Sequence, residues 1–169
     1  MLFFFKKRKK GNLIWFHGAS VGEIKSIVPL IEKLEEQKKI NQILVTSSTL
    51  SSAKIFEKFK FKKTIHQFYP IDENQLTKKF LNYWKPNIIT FIDSEIWPNM
   101  LLNIKKKSIP NILLNARITK KSYKRWNYFN SFSKKIFNCF DVTFPQNKET
   151  TKYLKSLNVK KIKLLGNLK

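Results

Sequence analysis

A chain of 169 residues is long enough for one domain with a substantial core, and 42% hydrophobic content excludes wholesale disorder despite a net charge of +23. That charge, 34 Lys and Arg against 11 Asp and Glu, points to an anionic partner: nucleic acid, a membrane surface or a phosphorylated substrate. A plain bias toward Lys, Asn, Ile and Phe is the competing reading. Cys139 is the only cysteine, which excludes an internal disulfide and fits a reducing compartment.

The chain opens MLFFFKKRKK, a short apolar cluster followed by a basic run too short to span a bilayer. Residues 1–12 read as a segment apart from the domain: a membrane-contacting tail, the stub of an anchor, or a flexible end. From Leu13 onward, strand and helix signals alternate. Strands are expected at Leu13–His17, Gln42–Ser47, His66–Tyr69, Ile88–Ile92, Asn111–Asn115, Val142–Pro145 and Lys161–Leu164. Several are continuous apolar runs, as in parallel strands covered on both faces. Between the first two, Ile24, Ile27, Val28, Ile31 and Leu34 recur at helical spacing. Ser51–Phe59, Gln75–Tyr83, Trp97–Lys107 and Glu149–Leu157 read as further helices, with Pro98 in a first turn where its missing N–H costs nothing. Ser122–Phe140 is a longer helical stretch that breaks near Asn130. Repeated β–α units predict an α/β fold, a Rossmann-like parallel sheet with helices on both faces, over residues 13–169.

In such sheets ligands gather at the carboxyl ends of the strands. Three sets of residues are expected there. Gly18, Ala19, Ser20, Val21, Gly22 and Glu23 follow the first strand, and the two glycines allow a tight turn and a close ligand approach. Their spacing is not that of a dinucleotide fingerprint. Glu23 is either a helix-start acid, kept ionised by the macrodipole, or a site carboxylate. IDSEIWPN brings Asp93, Ser94 and Glu95 to a second strand–helix junction, with Ser94 as a candidate cap and Glu95 in the first helical turn. LLNAR places Asn115 and Arg117 after a third strand, Arg117 as a fork for phosphate or carboxylate. His17 and His66 stand alone in sequence, so no metal and no cofactor are expected.

FHGASVGE, DSEIWPN, LLNAR and the terminal GNLK, in that order, resemble the amino-terminal half of bacterial 3-deoxy-D-manno-octulosonic acid (Kdo) transferases. The resemblance runs from Leu13 to Lys169 and implies one half of a glycosyltransferase B fold, the acceptor side, with a donor-binding half absent from this chain. Carried over by motif, Glu23 is the proton acceptor, while Glu95 and Lys169 stabilise the transition state. Gly18, Ala19, Ser20, Gly22, Asn115 and Arg117 are the expected substrate-binding residues. Asp93–Ser94 stands where many relatives carry Glu–Thr, a change that keeps an acidic–polar pair.

The implied partners are CMP-Kdo, a lipid A precursor and the anionic cytoplasmic face of the bacterial inner membrane. Contact with that membrane is expected from Lys6–Lys10 and from Lys120, Lys121, Lys124 and Arg125, which interleave with Tyr123, Trp126, Tyr128, Phe129 and Phe132. Two other readings remain: a non-catalytic acceptor- or membrane-binding fragment, and a basic nucleic-acid-binding module. No zinc spacing or aromatic RNA-binding motif supports the latter.

Overall fold

The structure, a computed structural model, describes residues 6–167. Six parallel strands form one sheet: β1 (Leu13–His17), β2 (Gln42–Ser47), β3 (Thr64–Phe68), β4 (Ile88–Ile92), β5 (Asn111–Ala116) and β6 (Val142–Pro145). Their spatial order is β3-β2-β1-β4-β5-β6. The chain therefore reverses direction across the sheet between β1 and β4, which pair directly from Ile14↔Ile88 to His17↔Phe91. The carboxyl ends of those two strands flank a topological switch point, where open α/β sheets hold their ligands.

Alternation along the strands divides the core in two. Phe16, Ile43, Val45 and Ile92 face Ile24, Ile27 and Ile31 of α1 (Val21–Glu35) and Phe56 of α2 (Leu50–Phe56). Trp15, Leu44, Ile89, Phe91 and Leu113 face the other layer. There they meet α3 (Asn74–Trp84), α4 (Pro98–Lys106), α6 (Asn130–Phe137) and α7 (Lys148–Ser156). Trp15 anchors that layer, buried against Phe80 and Phe91 at ring separations of 4.8 and 5.7 Å. Helix α5 (Lys120–Tyr128) buries none of its residues.

The expected strands and helices are present, most helices with ends shifted by a residue and α2 ending at Phe56, three residues before the expected Phe59; three further differences stand out. The third strand, Thr64–Phe68, starts two residues and ends one residue earlier than expected, because Thr64 is where its pairing with Ile43 of β2 begins. The segment 161–164 is not a strand: it makes one bridge, Thr143↔Ile162, at the outer edge of β6. The long aromatic stretch is two helices broken at Phe129 (φ −99°, ψ 49°), one residue before Asn130.

Lys6–Lys10 is laid against the body beside the amino-terminal ends of β1 and β2. Arg8 Nε donates to the Trp84 carbonyl (2.6 Å), the Lys9 N–H donates to Gln42 Oε1 (2.9 Å), and Tyr83 Oη donates to the Lys6 carbonyl (3.0 Å). This is the sheet edge opposite the switch point. The apolar cluster that precedes it lies outside the described residues.

Candidate active site

The turn from β1 into α1 holds Glu23 by local bonds. Ser20 is the N-cap of α1 and Glu23 its third residue, the spacing of a capping box. Ser20 Oγ accepts from the Glu23 N–H (3.4 Å) and donates to Glu23 Oε1 (3.0 Å), while Glu23 Oε2 accepts from the Ala19 N–H (2.7 Å). From outside the turn, Ser52 Oγ donates to the Ala19 carbonyl (3.1 Å) and the Gly18 N–H donates to the Thr46 carbonyl (3.1 Å). A Cβ on Gly18 would stand 3.0 Å from Glu23 Cβ, so a side chain there would press on the residue whose carboxylate folds back over the turn. A Cβ on Gly22 would meet nothing within 4 Å, so that position faces open space.

Glu23 is only 9% exposed. Burial pushes its carboxyl above the ordinary carboxylate range, and the charges of Glu95 and Asp93 push the same way. Its bonds to Ala19 and Ser20 oppose the rise without cancelling it. The helix start and its capping bonds favour the ionised form, but desolvation and the neighbouring carboxylates outweigh them.

Glu95 arrives from β4 by a different route. Its Oε2 accepts both from His17 Nε2 (3.0 Å) and from Trp97 Nε1 (2.8 Å). His17 closes β1, is fully buried, and stacks on Tyr69 at 3.9 Å. With Glu95 ionised, His17 Nε2 carries the proton, and Nδ1 faces Thr46 Oγ1 (3.0 Å), which accepts from Trp15 Nε1 (2.9 Å). A chain of polar contacts thus runs from the core to Glu95. His17 is not the isolated residue expected from the sequence.

The β4 end differs from expectation in a second way. Ser94 does not cap α4: its hydroxyl bonds Asp93 Oδ1 (3.1 Å) and the Arg117 carbonyl (3.0 Å). Glu95 precedes the helix, whose N-cap Trp97 offers no side-chain bond. Asp72, from the loop before α3, caps α4 instead, accepting from the Asn99 N–H (3.0 Å) and the Met100 N–H (2.8 Å). The loops after β3 and β4 are thereby fastened together around Glu95 and Trp97.

Asp93 and Asn115 both adopt left-handed backbone (φ 61° and 54°), which Asp and Asn tolerate better than most residues, and Asn115 coincides with a register irregularity in β5. The Arg117 N–H donates to the Asp93 carbonyl (3.1 Å), joining the ends of β4 and β5. The structure thus brings Gly18, Ala19, Ser20, Gly22, Glu23, Asp93 and Glu95 to one end of β1 and β4. It sets Asn115, buried, and Arg117, with its side chain exposed, beside them. Lys169 lies outside the described residues. No group of three His, Cys, Asp or Glu able to hold a metal occurs among the described residues.

His17, Tyr69, Asp72 and Thr46 are the site's unforeseen members. Only His17 had a local signal, a polar residue closing an apolar strand directly before the glycine turn. Chemically, the arrangement offers one buried carboxylate with raised proton affinity and a second whose orientation is fixed by two N–H donors.

The family model described as 3-deoxy-D-manno-octulosonic-acid transferase (kdotransferase) matches residues 1–169. The 3-deoxy-D-manno-octulosonic acid transferase of Rickettsia felis is 39% identical over 158 residues, covering 94% of this chain and 34% of that protein. A probable mitochondrial 3-deoxy-D-manno-octulosonic acid transferase of Arabidopsis thaliana is 39% identical over 120 residues, covering 71% and 27%. The chain spans about a third of the length of these relatives. Among solved structures, UDP-GlcNAc 2-epimerase from Neisseria meningitidis bound to UDP-GlcNAc matches with a TM-score of 0.64 at 14% identity, over 92% of this chain and 47% of that one. At that identity the likeness is one of fold alone.

Proposed function

Because the chain belongs to the Kdo transferase family, whose model it matches over its whole length, we propose that it is the acceptor-side half of a two-domain, B-type glycosyltransferase. In this reading Kdo passes from CMP-Kdo to a lipid A precursor at the cytoplasmic face of the inner membrane. An acceptor hydroxyl attacks the anomeric carbon of Kdo, the new glycosidic bond forms, and the bond to the CMP phosphate breaks. Glu23 takes the hydroxyl proton. A positioned general base is typically worth about 10²–10⁴-fold in rate, and most when its proton affinity approaches that of the medium. The observation that carries this role is the buried Glu23, its proton affinity raised by desolvation and by Glu95, at the switch point of the sheet.

Glu95 stabilises the oxocarbenium character that develops at the anomeric carbon. Its Oε2 is occupied by His17 and Trp97, so Oε1 is the oxygen that turns toward the sugar. Lys169 offsets charge on the departing phosphate, and Asn115 and Arg117 contact the acceptor from the β5 side. No metal enters this scheme. The nucleic-acid reading is not favoured, since the family match accounts for the whole chain. A non-catalytic role is not favoured either, since both motif acids sit at the ligand-binding end of the sheet.

The test uses a chimera in which residues 13–169 replace the matching stretch of the Rickettsia felis relative. Transfer of Kdo from CMP-Kdo to tetra-acylated lipid A precursor is expected from the chimera and not from this chain alone. Glu23→Ala is expected to abolish it with the circular dichroism spectrum unchanged. Transfer that persists in Glu23→Ala removes Glu23 from the chemistry, and robust turnover by this chain alone overturns the two-half reading.

A further inference from the structure

Both donors to Glu95 Oε2 belong to rings, His17 Nε2 at 3.0 Å and Trp97 Nε1 at 2.8 Å. Two ring N–H groups converge on one oxygen only while both rings are locked by their surroundings. One residue touches both rings. Tyr69 stacks on His17 at 3.9 Å and meets Trp97 at 5.0 Å, while His17 and Trp97 stand 6.0 Å apart, so the three rings close a triangle.

The backbone brings Tyr69 to this place and keeps it there. Tyr69 follows β3, which lies two strands from β1, and reaches His17 because the segment after β3 runs back along the rim of the sheet. That segment is fastened at both ends. The Tyr69 N–H donates to the Ser47 carbonyl (2.9 Å), and three residues later Asp72 caps α4, the helix that Trp97 opens. Pro70, buried, favours extended backbone at Tyr69.

The ring, not the hydroxyl, is the part in use. Tyr69 Oη is buried and makes no hydrogen bond among the described residues, although buried tyrosine hydroxyls ordinarily find a partner. Burial, with the charges of Asp72 and Glu95, raises the phenol well above its ordinary pKa, so it stays protonated near neutral pH.

We propose that Tyr69 is a positioning residue for the transfer: its ring braces His17 and Trp97 together, so that both hold Oε2 of Glu95 and Oε1 is left to face the sugar. This role rests on the one proposed for Glu95 above and supplies what that role requires. A charge stabilises a transition state only when it is held where the opposite charge develops, and a displacement of about 1 Å can cost about 10²-fold in rate. Tyr69 itself moves no proton and forms no bond. It acts through the two donors.

The test pairs Tyr69→Leu, which removes the ring, with Tyr69→Phe, which keeps it. The Trp97 indole N–H is followed by NMR in the 169-residue chain, without substrate, in chemical shift and in exchange with solvent. In Tyr69→Leu this proton is expected to move upfield and to exchange at least about tenfold faster, the mark of local opening. In Tyr69→Phe it is expected to match the parent. In the Rickettsia felis chimera, Tyr69→Leu is expected to lower kcat by about 10²-fold with KM little changed, and Tyr69→Phe to retain the parent kcat. Thermal unfolding shows whether each variant is folded, and Tyr69→Met serves if Tyr69→Leu is not. A ring that merely fills the core would lower the melting temperature and leave the indole proton of folded molecules where it was, which overturns the proposal. So does a Tyr69→Phe variant as impaired as Tyr69→Leu, or a loss that falls on KM and spares kcat. A chimera inactive in every form counts against the two-half reading alone, because the indole measurement needs no substrate.

Discussion

Two adjacent strands of the sheet each end by presenting a glutamate, and they hold it by different means. After β1, Glu23 is fixed by its own turn: all its hydrogen-bond partners lie within four residues, and one of them is the cap of the helix it starts. After β4, Glu95 depends on His17, 78 residues away, and the helix behind it is capped by Asp72 from another loop. The first turn is self-contained, so its carboxylate can be desolvated and left chemically available. The second is a joint between distant segments, so its carboxylate is oriented by the packing of the whole rim. A base and a stabiliser of developing charge have those different needs.

The largest expected effect strikes the non-local joint. His17→Ala removes a fully buried ring that stacks on Tyr69 and bonds Glu95, and it leaves the Glu95 carboxylate with only the Trp97 N–H of its two donors. Unfolding free energy is expected to fall by about 3 kcal/mol or more in urea titration. A loss below 1 kcal/mol would mean that the joint is not a joint. Asp72→Ala removes only the cap of α4 and should cost about 1 kcal/mol, measured the same way.

The smallest effect belongs to the local turn, and its sign depends on pH. Folding raises the Glu23 pKa, so the folded chain holds that proton more tightly than the unfolded chain does. The stability this gives is full at pH below the ordinary carboxylate value and is lost as pH rises through the folded value. Glu23→Gln removes the titration. Its stability relative to the parent should therefore improve as pH rises through that window and level off above the folded value; a difference flat with pH would contradict the raised affinity.

The same division explains what could be read from the residues in order. The Ser20-to-Glu23 spacing, the apolar strands and the α1 periodicity are local, and each element that depends on them lies where its pattern places it. Glu95 was identifiable as a residue of interest from its motif, but not its two N–H donors. His17 looked solitary because its partner is brought beside it only when β4 pairs with β1. Ser94 looked like a cap because caps are judged by sequence distance, whereas the cap used, Asp72, precedes α4 by 26 residues. The segment 161–164 has a strand's composition but only an outer edge to pair with, and one bridge is what that edge supplies.

The most direct test of the account is an NMR titration of the Glu23 side-chain carboxyl in the 169-residue chain and in its Glu95→Gln variant. The expected midpoint lies above the ordinary carboxylate range and falls when the Glu95 charge is removed. A midpoint at or below that range, unmoved by Glu95→Gln, would show a plain helix cap and contradict the role given to Glu23.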